Sequence, residues 1–283
     1  MAETFTPTPG SLTASDGLKL RTQHWAPSGP PKALVMMTHG HGEHSSRYLH
    51  VGAAFAAAGY AAAAYDLRGH GRSGGPRGHT PSYAQLLNDA QLVFDWAGRA
   101  LPAPKAFLYG HSLGGQITLA FALDRKPQVA GVAVSAPWLR LKFVPPAWKV
   151  RLGLTLSRVW PTFTLSSGLD KSQPMAHDTT WLSSFPELEL THTKISARLG
   201  AAALAQGAAV LAQAAEFRHP LLVLHGGDDQ IMDPDGSRAF VAAAGSADKT
   251  LKVYPDLYHE VHNEHAEHRA AVLADLITWF DAH

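Results

Sequence analysis

Short apolar runs recur along the first half of the chain, each followed by a turn and then by a longer stretch whose apolar positions are three and four apart. Residues 33–38 form a continuous apolar run of the kind buried on both faces of a parallel sheet, and residues 18–25 alternate enough to predict an edge strand. Residues 47–58 have helical character and 60–65 predict a further strand. Residues 83–100 place Leu86, Leu87, Ala90, Val93, Phe94 and Ala97 on one helical face. Strand 106–109, a helix and strand 129–135 follow. Strand alternating with helix implies a doubly wound, mostly parallel sheet with right-handed crossovers.

After Ala136-Pro137 the alternation stops. The stretch up to residue 216 reads as helical or irregular, with prolines at 145, 146, 161, 174 and 186, and is expected to be an insertion. Within it, 144–160 mixes Trp148, Leu152, Leu154, Leu156, Val159 and Trp160 with Lys149, Arg151 and Arg158, and with Phe143 and Lys142 just before it the spacing is compatible with an amphipathic helix, while 197–215 predicts a long alanine-rich helix. Strand 220–224, helix 237–244, strand 250–254 and a final helix over 265–280 resume the alternation. The expected organisation is a core over 1–136, an inserted segment over 137–216 and the rest of the core over 217–283.

The run 106–109 leads straight into Gly110-His111-Ser112-Leu113-Gly114-Gly115, a G-x-S-x-G sequence between a strand and a helix, which is the pattern of a nucleophile elbow. Glycines are needed there because the serine backbone is strained and a Cβ at either neighbouring position would strike the adjoining helix or strand. A serine hydroxyl is a weak nucleophile, so the motif has meaning only with a base and a residue that orients the base. The ends of the resumed strands supply both: Asp228, Asp229 and Asp233 after the first, and His259 after the second. The resulting order, Ser, Asp, His, is the one this architecture uses. Spacing does not choose among the three aspartates, although Asp233, just before Pro234, reads as a helix cap and Asp228 as a turn residue. Two backbone donors are needed for an oxyanion: Leu113 N–H, at a helix start, and a donor from the loop after the third strand, His39-Gly-His-Gly-Glu-His44, where His41 N–H is the candidate.

Composition narrows the classes. Twenty-four Lys and Arg against 23 Asp and Glu leave a net charge of +1, so no global field recruits nucleic acid. The chain has no cysteine, which excludes disulfides, thiol catalysis and Cys-ligated metal centres. Glu3 and early prolines stand where a signal peptide would need a basic start and an apolar run, so a cytoplasmic protein is expected. The apolar run 53–65 is short, alanine-rich and broken by Gly59, unlike a membrane span. Asp66 and Arg68 are expected to be a structural pair or turn anchors. A metal-dependent hydrolase built on His39, His41 and His44 is the remote alternative, with His259, His262, His265 and His268 as further nitrogen donors. Against it, His262, His265 and His268 at three-residue spacing fit one exposed helix stripe, and His259-Glu-Val-His262 is one residue short of H-E-x-x-H. A non-enzymatic binding module on the same fold usually lacks a triad member, and none is missing here.

His39-Gly-His-Gly-Glu-His-Ser45, Asp66-Leu-Arg-Gly-His-Gly-Arg-Ser73, Gly110-His-Ser-Leu-Gly-Gly115, Gly227-Asp-Asp-Gln-Ile-Met-Asp233 and Tyr258-His-Glu-Val-His262 together resemble the motif set of monoacylglycerol lipases and bacterial lysophospholipase-like α/β-hydrolases. The resemblance spans most of the chain. It implies an α/β-hydrolase fold, a mostly parallel central sheet flanked by helices, with a helical cap inserted after the sixth strand. It implies Asp229 as the triad aspartate, His259 as the histidine, and 137–216 as a cap shaping an acyl pocket. The apolar face of the first cap helix, Trp148, Leu152, Leu156 and Trp160, is then expected to line or gate that pocket. The expected activity is hydrolysis of monoacylglycerol or lysophospholipid esters through an acyl-enzyme on Ser112, with a short-chain carboxylesterase or an acyltransferase as the alternative on the same triad. No cofactor or metal is expected. The expected partner is a lipid ester, with transient contact of the cap with a membrane or micelle surface.

Overall fold

A computed structural model describes residues 4–143, 145–167 and 174–283; the helix start expected at Val144 and the terminal Glu3 lie outside the described residues. The strands are β1 Thr8–Thr13, β2 Lys19–Trp25, β3 Leu34–Thr38, β4 Ala61–Tyr65, β5 Ala106–His111, β6 Gly131–Ser135, β7 Thr164–Ser166, β8 Lys194–Ser196, β9 Leu221–Gly226 and β10 Lys249–Tyr254. The helices are α1 Leu49–Ala57, α2 Tyr83–Ala100, α3 Leu113–Arg125, α4 Ala147–Val159, α5 Thr179–Ser184, α6 Ala197–Ala212, α7 Pro234–Ala243 and α8 Ala266–Ala282. Eight strands form one sheet in the order β1-β2-β4-β3-β5-β6-β9-β10, antiparallel at β1/β2 and β2/β4 and parallel across the rest. The pair β7 and β8 makes a small separate antiparallel sheet.

Alternation along the buried strands sorts side chains to two faces, as the two-residue period of a pleated strand requires. In β3, Val35 and Met37 pack with Val51 and Phe55 of α1 and Val272, Leu276 and Phe280 of α8, whereas Met36 packs on the opposite side with Leu86 and Val93 of α2 and Ile117 and Phe121 of α3. The face predicted for α2 is the one turned inward, and Ser82 caps its start by accepting from Gln85 N at 3.1 Å. The apolar strands 33–38 and 60–65 were legible because burial on both faces leaves no place for polar residues.

Two expectations change. The edge beside β2 is taken by β1, so residues 18–25 lie one strand in from the edge. The long helix α6 packs on α3, α2 and α7, and its Leu199, Ala203 and Val210 join the cluster that holds Leu108 and Val132. The stretch 137–216 is therefore of two kinds: α6 closes the crossover from β6 to β9 within the core layer, while α4, α5, β7 and β8 stand between β6 and α6.

This insertion is joined to the core loops through its backbone. His192 N donates to Gly42 O at 2.8 Å and Ser196 N to Gly78 O at 2.8 Å. At Gly42, whose φ is +78°, a Cβ would come within 2.2 Å of His192 O, so the loop after β3 can receive the segment before β8 only as glycine.

The strand order reverses at β3: the chain passes from β3 to β4 on one side and later to β5 on the other. At such a switch point the loops beyond the carboxyl ends of neighbouring strands diverge and leave a crevice. The loop after β3 and the elbow after β5 both lie there.

Candidate active site

Ser112 follows β5 directly and has φ 53° and ψ −118°, a conformation that side chains rarely adopt. The surroundings hold it there. Its N–H donates to Ser135 O at 3.0 Å, and its carbonyl accepts from Gln116 N and Trp138 N, both at 3.0 Å. A Cβ at Gly110 would meet Gly114 O at 2.5 Å, and one at Gly114 would meet Thr38 O at 2.2 Å and His39 O at 2.4 Å. Both glycines are thus needed for the reason the sequence suggests: the elbow is pressed between the start of α3 and the end of β3.

The same closeness brings the loop 39–44 to the N-terminus of α3, where the first N–H groups of the helix have no intrahelical partner and the helix dipole favours negative charge. Leu113 is the first residue of α3. The loop is shaped by Glu43, whose carboxylate accepts from Gly40 N at 2.5 Å and from Tyr48 Oη at 2.8 Å and pairs with Arg47 Nε at 3.1 Å. Arg47 in turn reaches Glu260 Oε2 at 2.6 Å. Burial raises the Glu43 carboxyl above its ordinary value and nearby Glu260 adds to this, with Arg47 opposing.

His259 Nδ1 lies 2.7 Å from Asp229 Oδ2, with both residues buried. Adjacent parallel strands bring them together: β9 and β10 end in register, and the turns beyond them are joined by Gly227 N to Tyr254 O at 2.7 Å and Asp228 N to Leu257 O at 3.1 Å. The His259 ring then packs 4.7 Å from that of His111, the residue before Ser112, and Ser112 itself is only 4 % exposed. Asp229 is the one aspartate of the three that reaches His259. Asp228 is exposed, and Asp233 caps α7 by accepting from Asp235 N at 3.1 Å.

Burial alone would raise the Asp229 carboxyl, but the charge of His259, with hydrogen bonds from His225 and His259, holds it well below the usual carboxylate range. Ile231 N and Met232 N also donate to its Oδ1 at 2.8 and 2.9 Å. For His259 burial works against the charged form, yet Asp229 overcomes it and the imidazole is raised above its ordinary 6.5. Sequence reasoning assigned nothing to His225, whose Nε2 lies 3.2 Å from Asp229 Oδ2. Its only trace was a position at the end of β9, four residues before Asp229.

Of the histidines of the metal alternative, His39 uses both ring nitrogens in the loop itself. His39 Nδ1 donates to Gly40 O at 2.7 Å and its Nε2 accepts from Leu67 N at 2.9 Å, which leaves no lone pair for a metal. His41 is pushed down to about 3, by burial first and then by His192 and His39. Among the described residues no three His, Cys, Asp or Glu side chains converge as a ligand set. His262 is buried in the short turn Val261–Asn263, so it does not share an exposed stripe with His265 and His268 on and before α8. Asp66 and Arg68 are not paired with each other: Asp66 Oδ1 accepts from Ser45 N at 2.8 Å, while Arg68 pairs with Asp89 at 2.6 Å and Asp16 at 2.8 Å.

Of the four side chains expected to line an acyl pocket, Trp148 is 64 % exposed, Trp160 57 % and Leu152 47 %, and only Leu156 is half-buried. Helix α4 packs on α6 and leaves Trp148, Leu152 and Trp160 to solvent. Periodicity shows that a helix has an apolar face, not which way the face is turned.

The family model described as serine aminopeptidase, S33, matches residues 29–266. An abhydrolase domain-containing protein of Dictyostelium discoideum is 38% identical over 259 residues, 91% of this chain, although the chain spans only 27% of that longer protein. A monoacylglycerol lipase of Mycolicibacterium smegmatis is 31% identical over 274 residues, 96% of both chains. Among solved structures, a soluble variant of monoglyceride lipase from Saccharomyces cerevisiae in complex with a substrate analog superimposes with a TM-score of 0.87 at 25% identity, covering 100% of this chain and 97% of that one. A sheet that reverses at β3, a strained serine on the elbow and a family match over most of the length lead to one assignment: the chain belongs to the serine aminopeptidase S33 family, within the α/β-hydrolase fold.

Proposed function

We propose that the chain hydrolyses the carboxylic ester of monoacylglycerols through an acyl-enzyme on Ser112. The observation that carries this reading is the buried Asp229–His259 pair packed against the elbow. With its Nδ1 proton donated to Asp229, His259 presents Nε2 as the base that takes the Ser112 proton while Oγ attacks the acyl carbonyl. The oxyanion that forms is received by the N–H groups of Leu113 and His41. Collapse expels the glycerol oxygen with the proton from His259, and water repeats the sequence to release the fatty acid. Relatives named as monoacylglycerol lipases support the substrate; lysophospholipids present the same acyl ester and fall in the same class.

In this reading 1–136 and 217–283 form the catalytic core, and the inserted 137–216 supplies its cap from the part that precedes α6, with α6 itself packed in the core layer. The exposed side of α4, with Trp148 and Leu152 among Lys149, Arg151 and Arg158 and with Trp160 just after its end, suits transient contact with a lipid surface, where aromatic and apolar groups enter the interface and basic groups meet its charge. Among the described residues no helix is long and apolar enough to cross a membrane.

The deciding measurement is kcat/KM against acyl length, using monoacylglycerols and p-nitrophenyl esters. Each methylene removed from water adds about 0.8 kcal/mol, so kcat/KM is expected to climb about fourfold per CH₂ until the pocket is filled. A maximum at acetyl or butyryl would replace the lipase reading with a short-chain esterase.

Acidity gives a second check. His259 acts as base only when neutral and its pKa is raised, so kcat/KM should be low in acid and rise to a plateau through a midpoint above pH 6.5. A midpoint at or below 6.5 would mean that Asp229 does not face this histidine in solution.

A further inference from the structure

The loop that carries His259 is gripped from outside the core. Residues 175–178 of the insertion lie along it: Glu260 N donates to Met175 O at 2.7 Å, and His177 N donates to Glu264 Oε2 at 2.9 Å. The His177 Nδ1 is 3.0 Å from the same oxygen, and its ring stacks on that of Tyr258 with centroids 4.0 Å apart and planes 13° apart. Glu264 is fully buried, and its other oxygen accepts from Tyr258 N at 3.0 Å. One carboxylate thus holds the residue just before His259 and the inserted segment together. Taking a carboxylate out of water is unfavourable unless N–H donors replace the water, and here two backbone groups and an imidazole do so.

We infer that Glu264 is a positioning residue through which the insertion sets the placement of His259. This rests on the proposed roles of Ser112 and His259. Tyr258 and Glu260 flank His259, and both are tied to 175–178, one through Glu264 and the other directly. With the segment seated, both neighbours of the histidine are fixed; with it lifted, both ties are lost together. The insertion is then part of the catalytic alignment as well as a cover over the substrate.

The test uses the full chain and the substitutions His177→Ala, Glu264→Gln and their combination. His177 is partly exposed, so its truncation opens no core cavity. Two readouts depend on His259 and make no use of a long acyl pocket: the rate at which a fluorophosphonate labels Ser112, and kcat with KM for p-nitrophenyl acetate. His177→Ala is expected to slow labelling and lower kcat about tenfold while KM stays within about twofold. Glu264→Gln presents an amide NH₂ where a backbone N–H must be accepted, so a loss of about a hundredfold is expected, the size a misplacement of about 1 Å produces. Because both act through one contact, the combined variant should be no slower than Glu264→Gln alone. Wild-type labelling and kcat in His177→Ala, a change in KM alone, or losses that multiply would overturn the proposal. Should Glu264→Gln not fold, His177→Ala decides by itself. Absence of label at Ser112 in the unaltered protein would instead remove the serine mechanism, so the two failures are distinguishable.

Discussion

Replacing Ser112 by alanine is expected to leave a folded protein whose ester hydrolysis has fallen roughly 10⁶-fold, the loss that follows removal of the nucleophile from a serine hydrolase. Folding should survive because the strain lies in the backbone, at φ 53°, and is held by hydrogen bonds of the Ser112 N–H and C=O that alanine retains. Alanine has the same Cβ and only the hydroxyl is removed. A fluorophosphonate probe should label the unaltered protein at Ser112 and nowhere else, and should not label Ser112→Ala. Circular dichroism, turnover of a p-nitrophenyl ester and peptide mapping of the labelled protein check the three parts. Label on another residue, or activity retained in the alanine variant, would end the serine mechanism.

The second large effect separates the aspartates. Asp229→Asn is expected to lower turnover by about 10⁴, the cost of presenting a triad histidine in the wrong tautomer in serine proteases. The amide could still accept from Ile231 N and Met232 N through its oxygen, so the turn after β9 should keep its shape. Its NH₂ would then point at His259 Nδ1, force the ring proton to Nε2 and remove the lone pair needed for Ser112. Asp228→Asn alters an exposed turn residue, and Asp233→Asn keeps a side chain that caps α7 about as well, so each should stay within a few-fold of the unaltered rate. Parallel measurement of kcat in the three variants is sufficient. Loss concentrated in Asp233→Asn would transfer the orienting role to that residue.

The parts of this architecture that were legible are those in which local chemistry and tertiary position coincide. β3 and β4 read as strands because they are buried on both faces, and Gly110 and Gly114 frame Ser112 because nothing larger fits. β1 was not legible: Thr8–Thr13 contains Pro9 and Gly10, is largely exposed and becomes a strand only by pairing with β2. The choice of Asp229 from three aspartates was implied by resemblance, and its geometry comes from the register of β9 with β10, which spacing along the chain does not encode. His225, Glu43 and Glu264 were missed for the same reason, since each works through a residue distant in sequence or through a turn formed only on folding. The direction faced by α4 is not legible, because an apolar stripe serves a core or a surface equally well until a neighbouring helix takes one side.

The seating of His192 on Gly42 bears on how such enzymes are recombined. A chimera that takes residues 137–196 from a relative and leaves α6 and the rest of this scaffold in place would keep the sheet and the elbow, yet its grafted segment would have to fit a recess shaped to this backbone. Altering substrate range by exchange of that segment therefore calls for transplanting the loop 39–44 along with it, as a matched pair of donor parts.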